Sequence, residues 1–185
     1  VSRVVCLACR RLEFGVICGA CRSGLRPARP RTVEGLPVRS AYSHVGPARL
    51  LVHRLKYEAI ALAADLLAEA MIPLVQGGAT LVPVPRLRWR RLRYGVDPAW
   101  ELASRLARAT GCGIAQSLQA GWLGDVHAGS SRLERKTPIY RHIRGAIAPL
   151  VLVDDVVTTG ATLRAAAAVI GAGLVGAVTA TSAEG

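Results

Sequence analysis

Two places in this sequence gather residue types that do chemistry. Near the amino terminus, Cys6-Leu-Ala-Cys9 and Cys18-Gly-Ala-Cys21 are two Cys-x-x-Cys pairs with eight residues between them. Four thiolates at that spacing surround Zn²⁺ tetrahedrally at about 2.3 Å and leave no position open for water, so the predicted site is structural. Gly15 and Gly19 lie where such a knuckle needs turns, and Arg10, Arg11 and Arg22 can offset the dianionic charge of a tetrathiolate centre. A pair of disulfides is the competing use, in an oxidising compartment, and the spacing is not the usual one for an iron–sulfur cluster. Cys112, alone between two glycines, reads as a small buried apolar residue.

The second place is the run Val151-Leu152-Val153-Asp154-Asp155-Val156-Val157-Thr158-Thr159-Gly160-Ala161-Thr162-Leu163. A hydrophobic strand here delivers two carboxylates at its carboxyl end, the edge at which α/β folds bind ligands. The chain then turns into a helix through Thr158, Thr159, Gly160, Ala161 and Thr162. Successive backbone N–H groups at such a turn, the threonine hydroxyls and the positive end of the helix dipole make a cradle for phosphate. Gly160 lets the backbone approach the anion closely. Two acids beside a phosphate would repel it, so Asp154 and Asp155 need another partner, and ribose hydroxyls with a Mg²⁺ are the natural one. That the acids merely cap a helix is the lesser reading beside the threonine run.

Positioning these groups takes alternating strands and helices. Gly24, Pro27, Pro30, Gly35 and Pro37 mark 24–38 as a linker leaving the cysteine knuckle. The chain then divides into knuckle and linker at 1–36 and a main domain at 37–185. Residues 38–42 read as a strand, 48–57 as a basic helix, and 59–75 as a longer helix with a Leu/Ala face and Asp65 and Glu69 outside it. Residues 80–84 form a short buried strand, followed by an Arg-rich loop. Asp97 caps a helix that starts at Pro98 and stops at Gly111. The polar, glycine-containing stretch 120–138 reads as a long loop of the kind that is usually functional. A strand at 150–153, a helix from 159 or 160 to 170 and a last strand at 174–181 complete the pattern. It predicts an α/β fold, a parallel sheet with helices on both faces, preceded by the small four-cysteine zinc knuckle.

Composition sets the bounds. The 185 residues leave room for one ordinary domain and a small appendage. With 51% apolar and 19% charged residues the chain can bury a core, which excludes disorder, collagen and coiled coil. Only one Phe, three Trp and four Tyr are present, so that core is aliphatic. The net charge is +12, and 22 of the 24 cations are Arg, which fits phosphorylated ligands or nucleic acid. An Ala, Gly and Arg excess is also what a GC-rich genome gives. The charge is nevertheless uneven: residues 1–40 carry +6 and 81–110 carry +5, while 146–185 carry −2. The first five residues are too short for a signal h-region. The uncharged stretch 165–183 is broken by Gly171 and Gly173, so no membrane span is expected and a cytoplasmic protein is.

The acidic-pair run resembles the 5-phosphoribosyl-1-pyrophosphate (PRPP) binding motif of type I phosphoribosyltransferases. The rest of the chain resembles the ComF subfamily, the late-competence phosphoribosyltransferase-like proteins. That resemblance rests on the four-cysteine knuckle, Leu55-Lys56-Tyr57, Val82-Pro83-Val84-Pro85 with its arginines, and Gly95-Val96-Asp97-Pro98-Ala99-Trp100-Glu101-Leu102-Ala103. It spans almost the whole chain. It implies a type I phosphoribosyltransferase-like domain that binds Mg²⁺-PRPP, with Asp154 and Asp155 on the ribose and Thr158, Thr159, Gly160, Ala161 and Thr162 on the 5-phosphate. Arg86 and Arg88, with Arg90, Arg91 and Arg93 behind them, would serve the pyrophosphate side. Phosphoribosyl transfer to an unknown nitrogen acceptor would release pyrophosphate, with 120–138 as a lid. The chain departs from the family at Tyr94-Gly95-Val96-Asp97-Pro98, where Arg-Gly-Phe-Asn-Gln is usual, and at His127, which stands for a glutamine ahead of Arg135. The resemblance also implies a link to competence, so an accessory or regulatory protein without turnover is the other reading. It would bind single-stranded DNA through the basic blocks and Trp89, Tyr94 and Trp100, beside a DNA-translocating helicase, or sense PRPP.

Overall fold

A computed structural model describes residues 3–122 and 139–183. The chain opens with β1 (Val4–Val5), β2 (Leu12–Glu13) and the short helix α1 (Gly19–Ser23), which carry the four cysteines. Then follow β3 (Arg31–Val33), β4 (Leu36–Ser43), α2 (Gly46–Glu58), α3 (Ala61–Met71) with a 3₁₀ turn at Ile72–Leu74, and β5 (Thr80–Pro83). The second half runs α4 (Arg88–Tyr94), α5 (Pro98–Thr110), β6 (Gly113–Ile114), β7 (Leu118–Ala120), β8 (Tyr140–His142), β9 (Leu150–Val157), α6 (Ala161–Ile170) and β10 (Leu174–Ser182).

The central sheet has the order β3-β4-β10-β9-β5-β6, parallel except for the antiparallel edge strand β3. Successive strand residues face opposite sides, and β9 uses both. Val151 and Val153 pack in one cluster with Leu51 and Leu55 of α2, Leu67 of α3 and Leu102 and Leu106 of α5. Leu150 and Leu152 pack in another with Leu163 and Ala166 of α6 and Tyr140 of β8. Helices thus cover both faces, as the sequence pattern predicts, and the strand between them is a nearly continuous apolar run. Among the described residues no helix is long and apolar enough to cross a membrane.

Four local readings change. Residues 31–38, read as linker, form a β-hairpin on the sheet edge. Glu34 and Gly35 turn it, both at positive φ (48° and 84°), which matches the right-handed twist of a hairpin. Of the residues that suggested a linker, Gly24, Pro27 and Pro30 precede this hairpin, Gly35 is in its turn and Pro37 lies in β4 opposite Thr32. The Arg-rich loop after Pro85 is largely helix: α4 has no apolar stripe to betray it, and Gly95, left-handed at φ 67°, ends it. Within 120–138, Ala120 closes β7, which pairs with β8, and 123–138, with His127 and Arg135, lies outside the described residues. In the knuckle, Gly15 takes a positive φ of 104°, but Gly19 is the first residue of α1 and the second left-handed turn belongs to Arg10 at φ 65°.

The knuckle does not stand apart from the main body. Cys6, Ala8, Ile17, Cys18 and Cys21 are buried in the same cluster as Leu51, Leu55 and Leu67. Too short to enclose a core, the segment shares that of α2 and α3.

Candidate functional site

The four cysteine sulfurs lie within 4.8 Å of one another, and none is in a disulfide. Cys9 and Cys18 Sγ are 3.8 Å apart. The edge of a tetrahedron with Zn–S bonds of about 2.3 Å is about 3.8 Å, so the spacing fits a closed thiolate site. The backbone supports negative sulfur: Cys18 N donates to Cys6 Sγ and Cys21 N to Cys18 Sγ, each at 3.4 Å. Burial works against ionisation of Cys6, but N–H groups of Cys18, Cys9 and Ala8 outweigh it and bring the thiol down to about 6. Burial and the thiols of Cys18, Cys9 and Cys6 push Cys21 up to about 12. Four crowded sulfurs cannot all ionise against one another, and a dication among them removes that conflict. Cys6, Cys9, Cys18 and Cys21 can therefore hold a metal ion, and the donor set suits structural zinc. The lone Cys112 is 7% exposed, a small buried residue.

At the other centre, β9 continues through both acids to Val157, so Asp154 and Asp155 stand inside the strand and not in the loop beyond it. They are buried, at 9% and 4% exposure. The strand tolerates them because the carboxyl half of the sheet is polar. Ser40 of β4 and Thr179 of β10 share a hydrogen bond of 2.6 Å, and Thr179 Oγ1 donates to Thr181 O. Thr181 Oγ1 donates to Asp155 O at 3.2 Å and meets His44 Nδ1 at 2.8 Å. Since the single Thr181 proton goes to Asp155 O, His44 must donate from Nδ1, which leaves Nε2 as a free acceptor. Burial, then Lys56 and Arg49, hold His44 below the usual histidine value.

Asp154 Oδ1 accepts the N–H of Asp155 at 2.8 Å. Burial drives its carboxyl well above the ordinary range; Asp155 adds to the push and Lys56 opposes it. Lys56, from the last turn of α2, brings Nζ to 3.1 Å from Asp155 Oδ2. The approach is an ion pair outside hydrogen-bond geometry, so Oδ2 keeps an unused lone pair. Burial works against the charge on Lys56, but Asp155 and Asp154 outweigh it and hold the amine above its usual value.

Arg86 joins them from the end of β5. Pro83 pairs with Val153 in parallel register, so the chain after Pro85 emerges at the same sheet edge as the acids. The guanidinium donates to Lys56 O at 2.7 Å and lies over the rings of Tyr94 (4.6 Å) and Tyr57 (5.5 Å). Arg88, by contrast, is exposed and sits over Trp122 at 5.5 Å, and Arg90, Arg91 and Arg93 are exposed on α4. Asp97, expected to cap α5, occupies the cap position without a capping bond. Its Oδ2 accepts Arg86 N at 3.3 Å instead, and its Oδ1 is buried without a partner. Burial pushes this carboxyl up as well, and Tyr140 is raised by burial, then by Asp154 and Asp97.

Residues 158–160 turn the chain from β9 into α6. Thr158 and Thr159 are exposed, Gly160 is buried, and Ala161 and Thr162 are half-buried. No side chain caps α6, whose N-cap Gly160 has φ 79°. Thr159 Oγ1 accepts Ala161 N at 3.4 Å. Gly160 is needed for a reason the sequence did not disclose: a Cβ there would lie 2.6 Å from Val33 Cγ1. The missing side chain admits the edge hairpin, and Arg31 of the same hairpin donates to Thr158 O at 2.9 Å. The stretch read as linker braces this turn.

The structure thus gathers Asp154, Asp155 and Arg86 at one sheet edge, with the 158–162 turn following β9, and leaves Arg88 on the surface. Lys56, His44 and Asp97 are the members that sequence reasoning missed. Lys56 had a signal: it is one of two lysines among 22 arginines, and a shorter point charge suits a buried carboxylate where a guanidinium fork does not. Comparison with protein-family models finds no match, and neither does comparison with curated proteins.

Two outcomes are expected. Protein purified under reducing conditions should carry about one Zn²⁺ per chain, as a closed four-thiolate site requires; metal analysis that finds none removes the metal centre. Asp154→Asn keeps the acceptor for Asp155 N and discards the buried charge. The folded carboxyl binds its proton more tightly than the unfolded one, so its contribution is lost as pH rises through the raised value. The variant should melt about 2–6 °C higher than wild type at pH 8, with the gap closing toward pH 4. An equal or lower melting temperature at pH 8 contradicts the buried-charge account.

Proposed function

We propose that the carboxyl edge of the sheet binds Mg²⁺-PRPP in the manner of a type I phosphoribosyltransferase, and that the chain is a ComF-like protein of that superfamily. The observation that carries the reading is a buried, electrostatically strained acid in β9, a strand that passes through three residues, 158–160, into a helix start with no side-chain bond from its N-cap residue. A helix N-terminus whose N-cap glycine supplies no side chain, beside two exposed threonines, suits a phosphate. A carboxyl held above its ordinary range, as that of Asp154 is, suits hydroxyls and a cation. Both demands are met by one phosphorylated sugar.

In this reading, residues 158–162 hold the 5-phosphate with backbone N–H groups and hydroxyls. Asp154 accepts from ribose hydroxyls, and Asp155 does so while Lys56 keeps its charge compensated. Lys56 and Arg86 lie on the side from which a diphosphate leaves, and Arg86 is stiffened by Asp97, Tyr57 and Tyr94. The Mg²⁺ that arrives with the substrate supplies countercharge to the diphosphate oxygens. The C1–O bond breaks with its electron pair going to pyrophosphate, and a nitrogen of the acceptor bonds to C1. The chain contributes orientation and fixed charge, terms that act only if the groups are held before the substrate arrives.

Calorimetry with Mg²⁺-PRPP tests this. Wild type should bind, and Asp154→Asn and Thr159→Val should each weaken binding by about 10- to 100-fold, the loss of a hydrogen bond to a charged group. Asp155→Asn is the poorer probe, because it leaves Lys56 half-buried without its partner and should also cost fold stability. No heat with wild type, or equal heat from all variants, would overturn the proposal. Pyrophosphate release in the presence of a nitrogen acceptor distinguishes turnover from binding alone.

A further inference from the structure

The last turn of α2 touches both centres at once. Arg54 and Glu58 lie four residues apart and share a helix face, while Lys56, two residues from each, is turned about 160–200° away. The first face is tied to the knuckle. Arg54 Nε donates to Leu7 O at 3.0 Å, between Cys6 and Cys9, and Arg54 also pairs with Glu58. Arg10, next to Cys9, donates from Nη2 to both Glu58 oxygens at 3.0 and 3.2 Å. Lys56 on the other side meets Asp155, and its carbonyl receives Arg86. Arg54 is only 9% exposed. A leucine there would avoid the cost of burying a charge, so what the arginine adds is a fixed position. The turn also ends on Ala59 in the left-handed region at φ 52°, a strained conformation for any residue with a Cβ. Its own propensity does not hold it wound; the contacts do.

We propose that the cysteine cluster, closed around its metal, is the positioning element of the anion site. Through Arg10, Arg54 and Glu58 it fixes the last turn of α2, and through that turn it sets Lys56 and Arg86 against the acids. Opening the cluster releases the turn and weakens the site for a diphosphate-type anion. Lys56 and Glu58 are positioning residues in this scheme, and only the choice of pyrophosphate as probe rests on the function proposed above.

The test uses the full zinc-loaded chain with Glu58→Gln, and Arg10→Gln as a second variant at an exposed residue. Arg10→Lys keeps the charge. Lysine-labelled NMR reads the Lys56 amine directly, because the chain has only one other lysine, Lys136. The charged or titrating groups that reach Lys56 are Asp155 and Asp154 from β9, His44 after β4 and Tyr57 on its own helix. In wild type the amine titrates above the usual lysine value. In Glu58→Gln and Arg10→Gln, with zinc content unchanged, it should fall toward that value, and affinity for Mg²⁺-pyrophosphate should drop about 3- to 30-fold. Arg10→Lys should restore both, and chelator-stripped wild type should behave like Glu58→Gln. An unmoved Lys56 titration in both glutamine variants and in the stripped protein overturns the proposal. Wild type that binds no pyrophosphate while Lys56 still shifts removes the proposed function and leaves the coupling standing.

Discussion

A carboxylate placed inside a parallel strand loses its water, at a cost on the order of several kcal/mol. Asp154 of β9 is in that position, and much of the molecule is arranged around it. The carboxyl halves of β4 and β10 present Ser40, Thr179 and Thr181 where their amino halves present apolar residues. Asp155 supplies an N–H, and α2 sends Lys56 into the same corner. The compensation is incomplete: the carboxyl remains well above its ordinary range, and Asp97 and Tyr140 nearby are raised too. Folds keep such strain where a ligand relieves it.

Support for the turn beyond Asp154 comes from the sheet edge. The β3–β4 hairpin inserts Val33 into the space beside Gly160 and ties Arg31 to the carbonyl of Thr158. The start of α6, whose N-cap Gly160 has no side chain to offer, is then held from outside, with the N–H of Ala161 on the Thr159 hydroxyl. The knuckle shares the core of α2 and α3, so the four-cysteine cluster and the strand that carries the acids pack into one layer.

What could be read from the sequence followed how local the signal was. The cysteine pairs, the strand that carries two acids and the threonine turn each declare themselves within a dozen residues, and α5 does so through Pro98 and Gly111. The parallel pairing of β5 with β9 follows from alternation of strand and helix, which brings Arg86 to the acids. Hidden features were set by distant neighbours. Arg31 and Val33 sit among prolines and glycines that look like a linker until the far side of the sheet is present. Lys56 lies on a helix whose apolar pattern explains Leu51, Val52 and Leu55 but says nothing of Asp155. Asp97 stands at a proper cap position, yet the hydrogen bond that its carboxylate accepts comes from Arg86 N across the site. The helix α4 is seven residues long and buries none of its side chains, so periodicity had little to register.

The central claim is that Asp154 is held protonation-prone by burial and that a bound phosphorylated sugar with its cation relieves it. A ¹³C titration of the aspartate side chains, run on the zinc-loaded chain with and without Mg²⁺-PRPP, measures this directly. The account predicts a carboxyl assigned to Asp154 that titrates well above the usual aspartate range in the free protein and moves down on ligand addition. An Asp154 that titrates in the ordinary range, or one whose titration the ligand leaves unchanged, contradicts it.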